Sequence, residues 1–265
     1  MKQYTAGFLG AGNMGGALAQ AAIRTAGAEN VILTCKTEAH TRAAAERLGC
    51  ASGPAAEIVR SSRFVFLGVK PQMLSALAEE LGGVIGEAEC VLVSMLAGVT
   101  LERLEALFPG KRILRIMPNT PCAVGQGLTL FCANGNVTPM ELDAFKALLS
   151  FSGVLDPLPE RLIDAASAIS GCGPAYAYLF IEALADGGVK NGLPRAKATE
   201  YAGQMLLGSA AMALRSGKHP GMLKDEVCSP GGSTIAGVAA LERAGFRAAC
   251  INAVDAAVER TRALG

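Results

Sequence analysis

One short run constrains this chain more than any other. Gly10-Ala11-Gly12-Asn13-Met14-Gly15 fits G-x-G-x-x-G and sits between an apolar stretch and an alanine-rich helical pattern. Tyr4–Leu9 reads as a strand and Asn13–Thr25 as a helix, so the glycines fall at a strand-to-helix turn, the context in which the motif carries meaning. Gly10 permits the tight turn, Gly12 lets a backbone approach a pyrophosphate, and Gly15 lets the helix pack close to the strand. The start of that helix offers free N–H groups and a partial positive charge to phosphates. Taken alone, the glycines also fit a tight turn that holds no ligand.

The rest of the first half repeats the alternation. Val31–Thr34 reads as a second strand and Glu38–Leu48 as a second helix. Phe64–Val69, Cys90–Ser94 and Arg112–Met117 are apolar runs of the kind buried on both faces of a parallel sheet. Helical stretches lie near Gln72–Leu81, Leu101–Leu107 and Thr138–Ser150, the last with Pro139 in its first turn. This βαβ order predicts a doubly wound α/β domain of the Rossmann type with a parallel sheet. After Pro159 no strand pattern remains. Helices are predicted from Pro174 to Lys190, after Pro194 (Ala198, Tyr201, Ala202, Met205, Leu206) and around Phe246–Val258. Pro157 and Pro159 interrupt the chain, so the expected division is an α/β domain at 1–158 and an all-helical domain at 159–265. A length of 265 residues suits two domains.

The helix over Ala175–Val189 is apolar nearly all round, apart from Glu182 and Asp186. Such a helix must be covered on every side, by its own domain or by a partner subunit. Composition narrows the function classes. With 51% hydrophobic and 18% charged residues the chain is no disordered segment, and a net charge of +1 offers no basic surplus for nucleic acid or an acidic membrane. An anionic ligand therefore needs a local site. No two of the 8 cysteines form a C-x-x-C pair, and the 2 histidines, His40 and His219, are far apart, so no metal site is expected and the thiols read as reduced. Gly10, Gly12, Gly15 and Gly16 break the apolar N-terminal run, which argues against a signal peptide. Glu182 and Asp186 are expected to cut the Ala175–Leu184 stretch short of a membrane span. The expectation is a soluble, unprocessed, cytoplasmic protein acting on a small molecule.

Cofactor choice is written at the end of the second strand. NAD enzymes place Asp or Glu there to bind the ribose hydroxyls. This chain has Thr34-Cys35-Lys36-Thr37, whose hydroxyls and cation suit a 2′-phosphate. Arg42 can assist from the next helix, and nearby Glu38 works against it. NADPH is the expected cofactor, with NADH possible.

The run Val227-Cys228-Ser229-Pro230-Gly231-Gly232-Ser233-Thr234, continuing Ile235-Ala236-Gly237-Val238 to Leu241-Glu242, closely resembles the signature of pyrroline-5-carboxylate reductases, the bacterial form nearest. Gly68-Val69-Lys70-Pro71-Gln72, Ala97-Gly98-Val99-Thr100, Met117-Pro118-Asn119-Thr120-Pro121, Ser170-Gly171-Cys172-Gly173-Pro174-Ala175-Tyr176 and His219-Pro220-Gly221 agree in the family's order. The resemblance implies reduction of 1-pyrroline-5-carboxylate to L-proline with NADPH, the last step of proline biosynthesis. It also implies a helical dimerisation domain, substrate sites completed by both partners of a homodimer, and assembly into a decamer. It assigns substrate binding to Gly231, Gly232, Ser233 and Thr234. Backbone N–H groups of Gly232, Ser233 and Thr234 would hold the carboxylate, with the Thr234 hydroxyl near the ring nitrogen. Val69, Lys70, Pro71, Ala97, Asn119 and Thr120 would line the cofactor cleft. Cys172 departs from the serine common at that position, and Glu226, where the family varies, receives no role.

Read without the resemblance, Pro230-Gly231-Gly232 is a turn before a helix. That is an anion cradle, or a place where Ser233 or Thr234 simply caps the helix. Reduction of C=N needs a reduced nicotinamide against the imine carbon, a protonated imine and exclusion of water. A cyclic imine arrives carrying its own proton, so no catalytic histidine is required and catalysis rests on proximity. Thr234 is the expected catalytic residue, orienting the ring nitrogen. Lys70 reads as a cofactor contact or as an acid, and Tyr176 as core or interface. Two other functions fit the sequence less well. A β-hydroxyacid dehydrogenase needs a lysine about one turn before an asparagine, and the adjacent Lys190 and Asn191 cannot share one helix face. A non-catalytic NADP-binding sensor would have lost the 231–234 loop.

Overall fold

The structure, a computed structural model, describes residues 2–263. β1 (Tyr4–Leu9) passes through the glycine turn into α1 (Asn13–Ala26), and β2 (Val31–Thr34) into α2 (Glu38–Leu48). There follow β3 (Ala51–Ser52), α3 (Ala55–Ser61), β4 (Ser62–Leu67), α4 (Leu74–Glu87), β5 (Val91–Ser94), α5 (Leu101–Leu107) and β6 (Arg112–Met117). β7 (Gly127–Ala133), α6 (Pro139–Leu148) and β8 (Gly153–Pro157) complete the sheet. Its strand order is β3-β2-β1-β4-β5-β6-β7-β8. The strands from β3 to β6 run parallel, β7 pairs antiparallel with β6, and β8 parallel with β7. The doubly wound α/β expectation therefore holds.

Alternate residues of each central strand feed two cores. Ala6, Phe8, Phe64, Phe66, Val91 and Val93 face one layer of helices. Leu9, Val65, Leu67, Leu92 and Ile113 face the other. Burial on both faces explains why these strands read as unbroken apolar runs. Phe8 and Phe66 stack across the β1–β4 pair with ring centroids 4.4 Å apart.

Strand order reverses at β1 and β4, and there the backbones nearly touch. A Cβ on Gly68 would lie 2.4 Å from the Gly10 carbonyl oxygen, and one on Gly15 2.1 Å from the same atom. Gly10 has φ +107°. These glycines are required by contact within the chain.

β6 also anchors the helix that follows the sheet, α7 (Glu160–Ser170). Arg115, 2% exposed, donates from Nη1 to Glu160 Oε1 (2.9 Å) and from Nη2 to Asp164 Oδ1 (2.8 Å). Glu160 also accepts the Leu101 N–H at 2.7 Å, tying α5 to the same point. Burial, and then the Glu160 carboxylate, push the neighbouring Cys132 thiol up to about 11 against the pull of Arg115. α7 thus packs with the sheet, and the described residues of the first compact unit are 2–172 with 257–263. The change from strands to helices comes after β8, near the expected boundary, while the compact units divide at Cys172.

The second unit, Gly173–Ala256, carries α8 (Gly173–Lys190), α9 (Arg195–Ser216), α10 (Pro220–Val227), α11 (Ser233–Arg243) and most of α12 (Phe246–Arg262). Among its described residues only Ala185, Ala198 and Ala202 are buried. Tyr178, Leu179, Leu207, Met212, Leu214 and Ile251 are each more than half exposed. The unit has almost no core of its own, so the sequence alternatives resolve towards a partner subunit. One expectation is corrected. Glu182 and Asp186 do not cut the apolar stretch of 160–190, which spans α7 and α8, short. By length and composition alone that run is long and apolar enough to cross a membrane.

This packing makes two predictions. Gly68→Ala should lower stability by about 2 kcal/mol or more, the usual scale of overpacking, read as a lower Tm; an unchanged Tm would contradict the β1–β4 contact. Glu141 accepts the Thr138 N–H (2.9 Å), the Thr138 hydroxyl (2.8 Å) and Arg112 Nη1 (2.7 Å) at the start of α6. Burial pushes its pKa up, but the Thr138 and Arg112 bonds outweigh it and hold it below the ordinary carboxylate value. The native state therefore favours the ionised form, and this stability is present above the unfolded pKa and lost as pH falls through the lowered native one. Glu141→Gln should reduce Tm at neutral pH, and its gap to wild type should close in acid. A gap independent of pH would refute the assignment.

Candidate functional site

In the parallel part of the sheet the carboxyl ends of β1, β2, β4, β5 and β6 share one edge, where open α/β sheets bind their ligands. The structure brings most of the cofactor residues expected from sequence to that edge. The turn after β1 holds Gly10, Ala11, Gly12, Asn13, Met14 and Gly15. Gly10 donates its N–H to the Thr34 carbonyl at 2.9 Å, and Gly68 donates to that of Leu9 at 2.9 Å, which seats both turns. Gly12 behaves differently from the packed glycines. It is the exposed N-cap of α1, and a Cβ there would meet nothing within 4 Å. Packing within the chain does not demand a glycine at that point. The first-turn N–H groups of Asn13, Met14 and Gly15 have no acceptor among the described residues.

Thr34 ends β2, and exposed Lys36 follows without an ion pair among the described residues. Thr37 caps α2, accepting the His40 N–H at 3.3 Å, and its hydroxyl lies 2.8 Å from His40 Nδ1. His40 is a polar group at this corner that the sequence reading left without a role; its position one turn after a threonine cap was the available signal. Arg42 bonds Glu38 at 3.2 Å, so the helix cation and the nearby carboxylate offset each other and Lys36 carries the local positive charge.

Val69, Lys70 and Pro71 follow β4, with Lys70 exposed at the start of a short 3-10 turn. Ala97 follows β5, and Asn119 and Thr120 follow β6. Thr120 is exposed, whereas the Asn119 carboxamide is buried and already bonded: Oδ1 accepts the Leu128 N–H and Nδ2 donates to the Ser170 carbonyl, each at 2.9 Å.

In the second unit, Gly231 turns the chain with φ +68° before α11. Gly232 is the N-cap and spends its N–H on the Ser229 carbonyl at 3.0 Å. Its N–H closes the turn, leaving those of Ser233 and Thr234 outward. Among the described residues no side chain caps this helix. The exposed Ser233 and Thr234 hydroxyls make no hydrogen bond among the described residues, so the simple capping alternative is not what this loop does. Tyr176 donates its hydroxyl to the Ala253 carbonyl at 3.3 Å, tying α8 to α12.

Comparison with known proteins agrees with both halves. Residues 160–264 match the family described as pyrroline-5-carboxylate reductase dimerisation. Residues 5–98 match the family described as NADP oxidoreductase, coenzyme F420-dependent. The chain is 43% identical to a pyrroline-5-carboxylate reductase of Pisum sativum, over 98% of this chain and 96% of that one. It is 42% identical to that of Methanosarcina acetivorans, over 100% and 99%. The crystal structure of Plasmodium falciparum pyrroline carboxylate reductase with NADP bound superposes with a TM-score of 0.90 at 33% identity, covering 100% of this chain and 99% of that one. Sequence similarity over the full length, shared fold and a matching dimerisation domain together place this chain in the pyrroline-5-carboxylate reductase family.

Proposed function

We propose that this chain reduces 1-pyrroline-5-carboxylate to L-proline with NADPH, the last step of proline biosynthesis, as a cytoplasmic homodimer assembled further into a decamer. The observation that carries the reading is the uncapped start of α11, whose Ser233 and Thr234 N–H and hydroxyl groups have no partner among the described residues. A small anion bearing a ring N–H uses both kinds of group. Residues 1–158 form the cofactor half and 159–265 the substrate and dimerisation half.

The residues fit the cofactor. The open space over Gly12 and the unpaired N–H groups of α1 accept a pyrophosphate. Thr34 and Lys36 take the 2′-phosphate, while Val69, Lys70, Pro71, Ala97, Thr120 and the Asn119 backbone line the cleft. When bound, the reduced nicotinamide supplies the hydride. The chain's own work is orientation. Ser233 and Thr234 N–H groups, with the positive end of the α11 dipole, hold the carboxylate, and Gly231 and Gly232 shape the turn. Thr234 Oγ1 accepts the hydrogen bond from the protonated ring nitrogen. As the imine carbon receives hydride, the C=N π pair moves onto nitrogen, whose proton is already in place. Thr234 therefore donates no proton, and Lys70 serves as a cofactor contact.

Mixing the protein with NADPH and 1-pyrroline-5-carboxylate should bleach the NADPH absorbance, with a higher kcat/KM for NADPH than for NADH; no turnover would favour a non-catalytic NADP-binding protein. Thr234→Val should fold normally and lose roughly 10- to 100-fold in kcat/KM, the worth of one charge-assisted hydrogen bond. Gly12→Ala should keep a near-native Tm and weaken NADPH binding by about tenfold or more, because its methyl occupies the pyrophosphate's approach. Unchanged kinetics in a folded Thr234→Val protein, or undiminished NADPH affinity in Gly12→Ala, would remove that residue from its role.

A further inference from the structure

We propose that Asn119 is a positioning residue for this reaction, acting through the main-chain carbonyl of Ser170. The inference rests on the reductase reading above. Asn119 stands just past β6, at the carboxyl edge of the sheet, and is 9% exposed. Its partners fix which way the amide faces: only the oxygen can accept the Leu128 N–H, and only the nitrogen can donate to the Ser170 carbonyl. One short side chain thereby joins the turn after β6, the start of β7 and the last residue of α7.

The bond to Ser170 uses a group that the helix leaves open. Carbonyls in the last turn of a helix lack intrahelical partners. The N–H groups of Gly171 and Cys172 both fold back onto the Ser167 carbonyl, at 2.7 and 3.1 Å, and leave the Ser170 carbonyl to Asn119. Arg115 holds the other end of α7 through Glu160 and Asp164. The helix is thus tied at both ends to β6 and the turn after it, and the chain leaves the sheet-bearing unit at Cys172, just past the second tie. Hydride transfer tolerates little error in distance; a misplacement of about 1 Å costs up to about 10²-fold. A side chain that fixes the end of α7 at the ligand edge belongs to the machinery of alignment without touching a reactant.

The test compares wild type, Asn119→Asp and Ser170→Ala. Asp keeps the shape and the acceptor for Leu128 but sets an oxygen against the Ser170 carbonyl; Ser170→Ala keeps that carbonyl. Tm, the NADPH Kd from fluorescence titration, kcat and KM are measured on each. Asn119→Asp should fold, hold NADPH within about threefold of wild type and lose about tenfold or more in kcat, while Ser170→Ala retains wild-type kcat. A rise in NADPH Kd with kcat at saturation unchanged would make Asn119 a direct cofactor contact and overturn the proposal. So would an unchanged kcat in folded Asn119→Asp, which is what a purely structural bond gives, or an equal loss in Ser170→Ala, which would move the role to the hydroxyl. Should the Asp protein not fold, Asn119→Ser, which buries no charge, is read by the same criteria. Absence of turnover in wild type would instead defeat the reductase reading itself.

Discussion

The structure depends on the close approach of two backbones at the carboxyl ends of β1 and β4. Gly10 and Gly68 meet there with no room for a side chain, and Gly15 brings the first turn of α1 against the same carbonyl oxygen. A methyl at either packed position would force the two strands apart where strand order reverses. That reversal opens the crevice at the sheet edge, because chain connections leave in opposite directions on its two sides. The same contact that lets β1 and β4 pair also aims the start of α1 into the crevice. On the proposed function, stability and pyrophosphate binding are two consequences of one set of missing side chains, separable at Gly12, where a Cβ would meet nothing within 4 Å.

A second constraint is electrostatic. Arg115 is buried in the sheet and faces two carboxylates of α7. Removing one partner of such a group costs about 3–5 kcal/mol, because a charge is left without compensation. The arrangement therefore sets where α7 sits against β6, because sliding the helix would strip the buried guanidinium of both carboxylates. The Cys132 thiol reports the same surroundings: burial and Glu160 raise it to about 11, so it stays protonated and unreactive at neutral pH. The Gly171–Cys172 turn inherits its placement from this cluster at one end of α7 and from Asn119 at the other.

How much of this was legible depended on whether the signal was local. The bounds of β1, β2, α2 and β6 could be read directly, because buried parallel strands announce themselves as apolar runs between turn residues. β3 holds only Ala51 and Ser52, and exists because β2 offers an edge. β7 escaped because Gly127 and Thr129 interrupt its apolar pattern, and β8 because three of its five residues are exposed. β4 begins at Ser62 rather than Phe64, since pairing with Tyr4 draws in polar residues. At the site, the glycine turn was legible because backbone geometry is written in residue type. The carboxamide of Asn119 was not: nothing in its sequence neighbourhood points to Ser170, and only the fold brings the two together.

The helical unit shows the limit of reading one chain as a self-contained object. α11 and α12 contain no buried residue, and only three alanines of α8 and α9 are buried. Apolar side chains at helical spacing, left in water, stabilise nothing until another surface covers them. For a member of a dimerising family that surface is a second copy, so stability of this half is tied to subunit concentration. The Gly231–Thr234 turn lies between two of these helices. The anion grip proposed for it needs α11 held still, since free N–H groups on a shifting helix bind weakly for the entropy they must lose. On the proposed function, association of subunits, by ordering α11, serves substrate binding as well as stability.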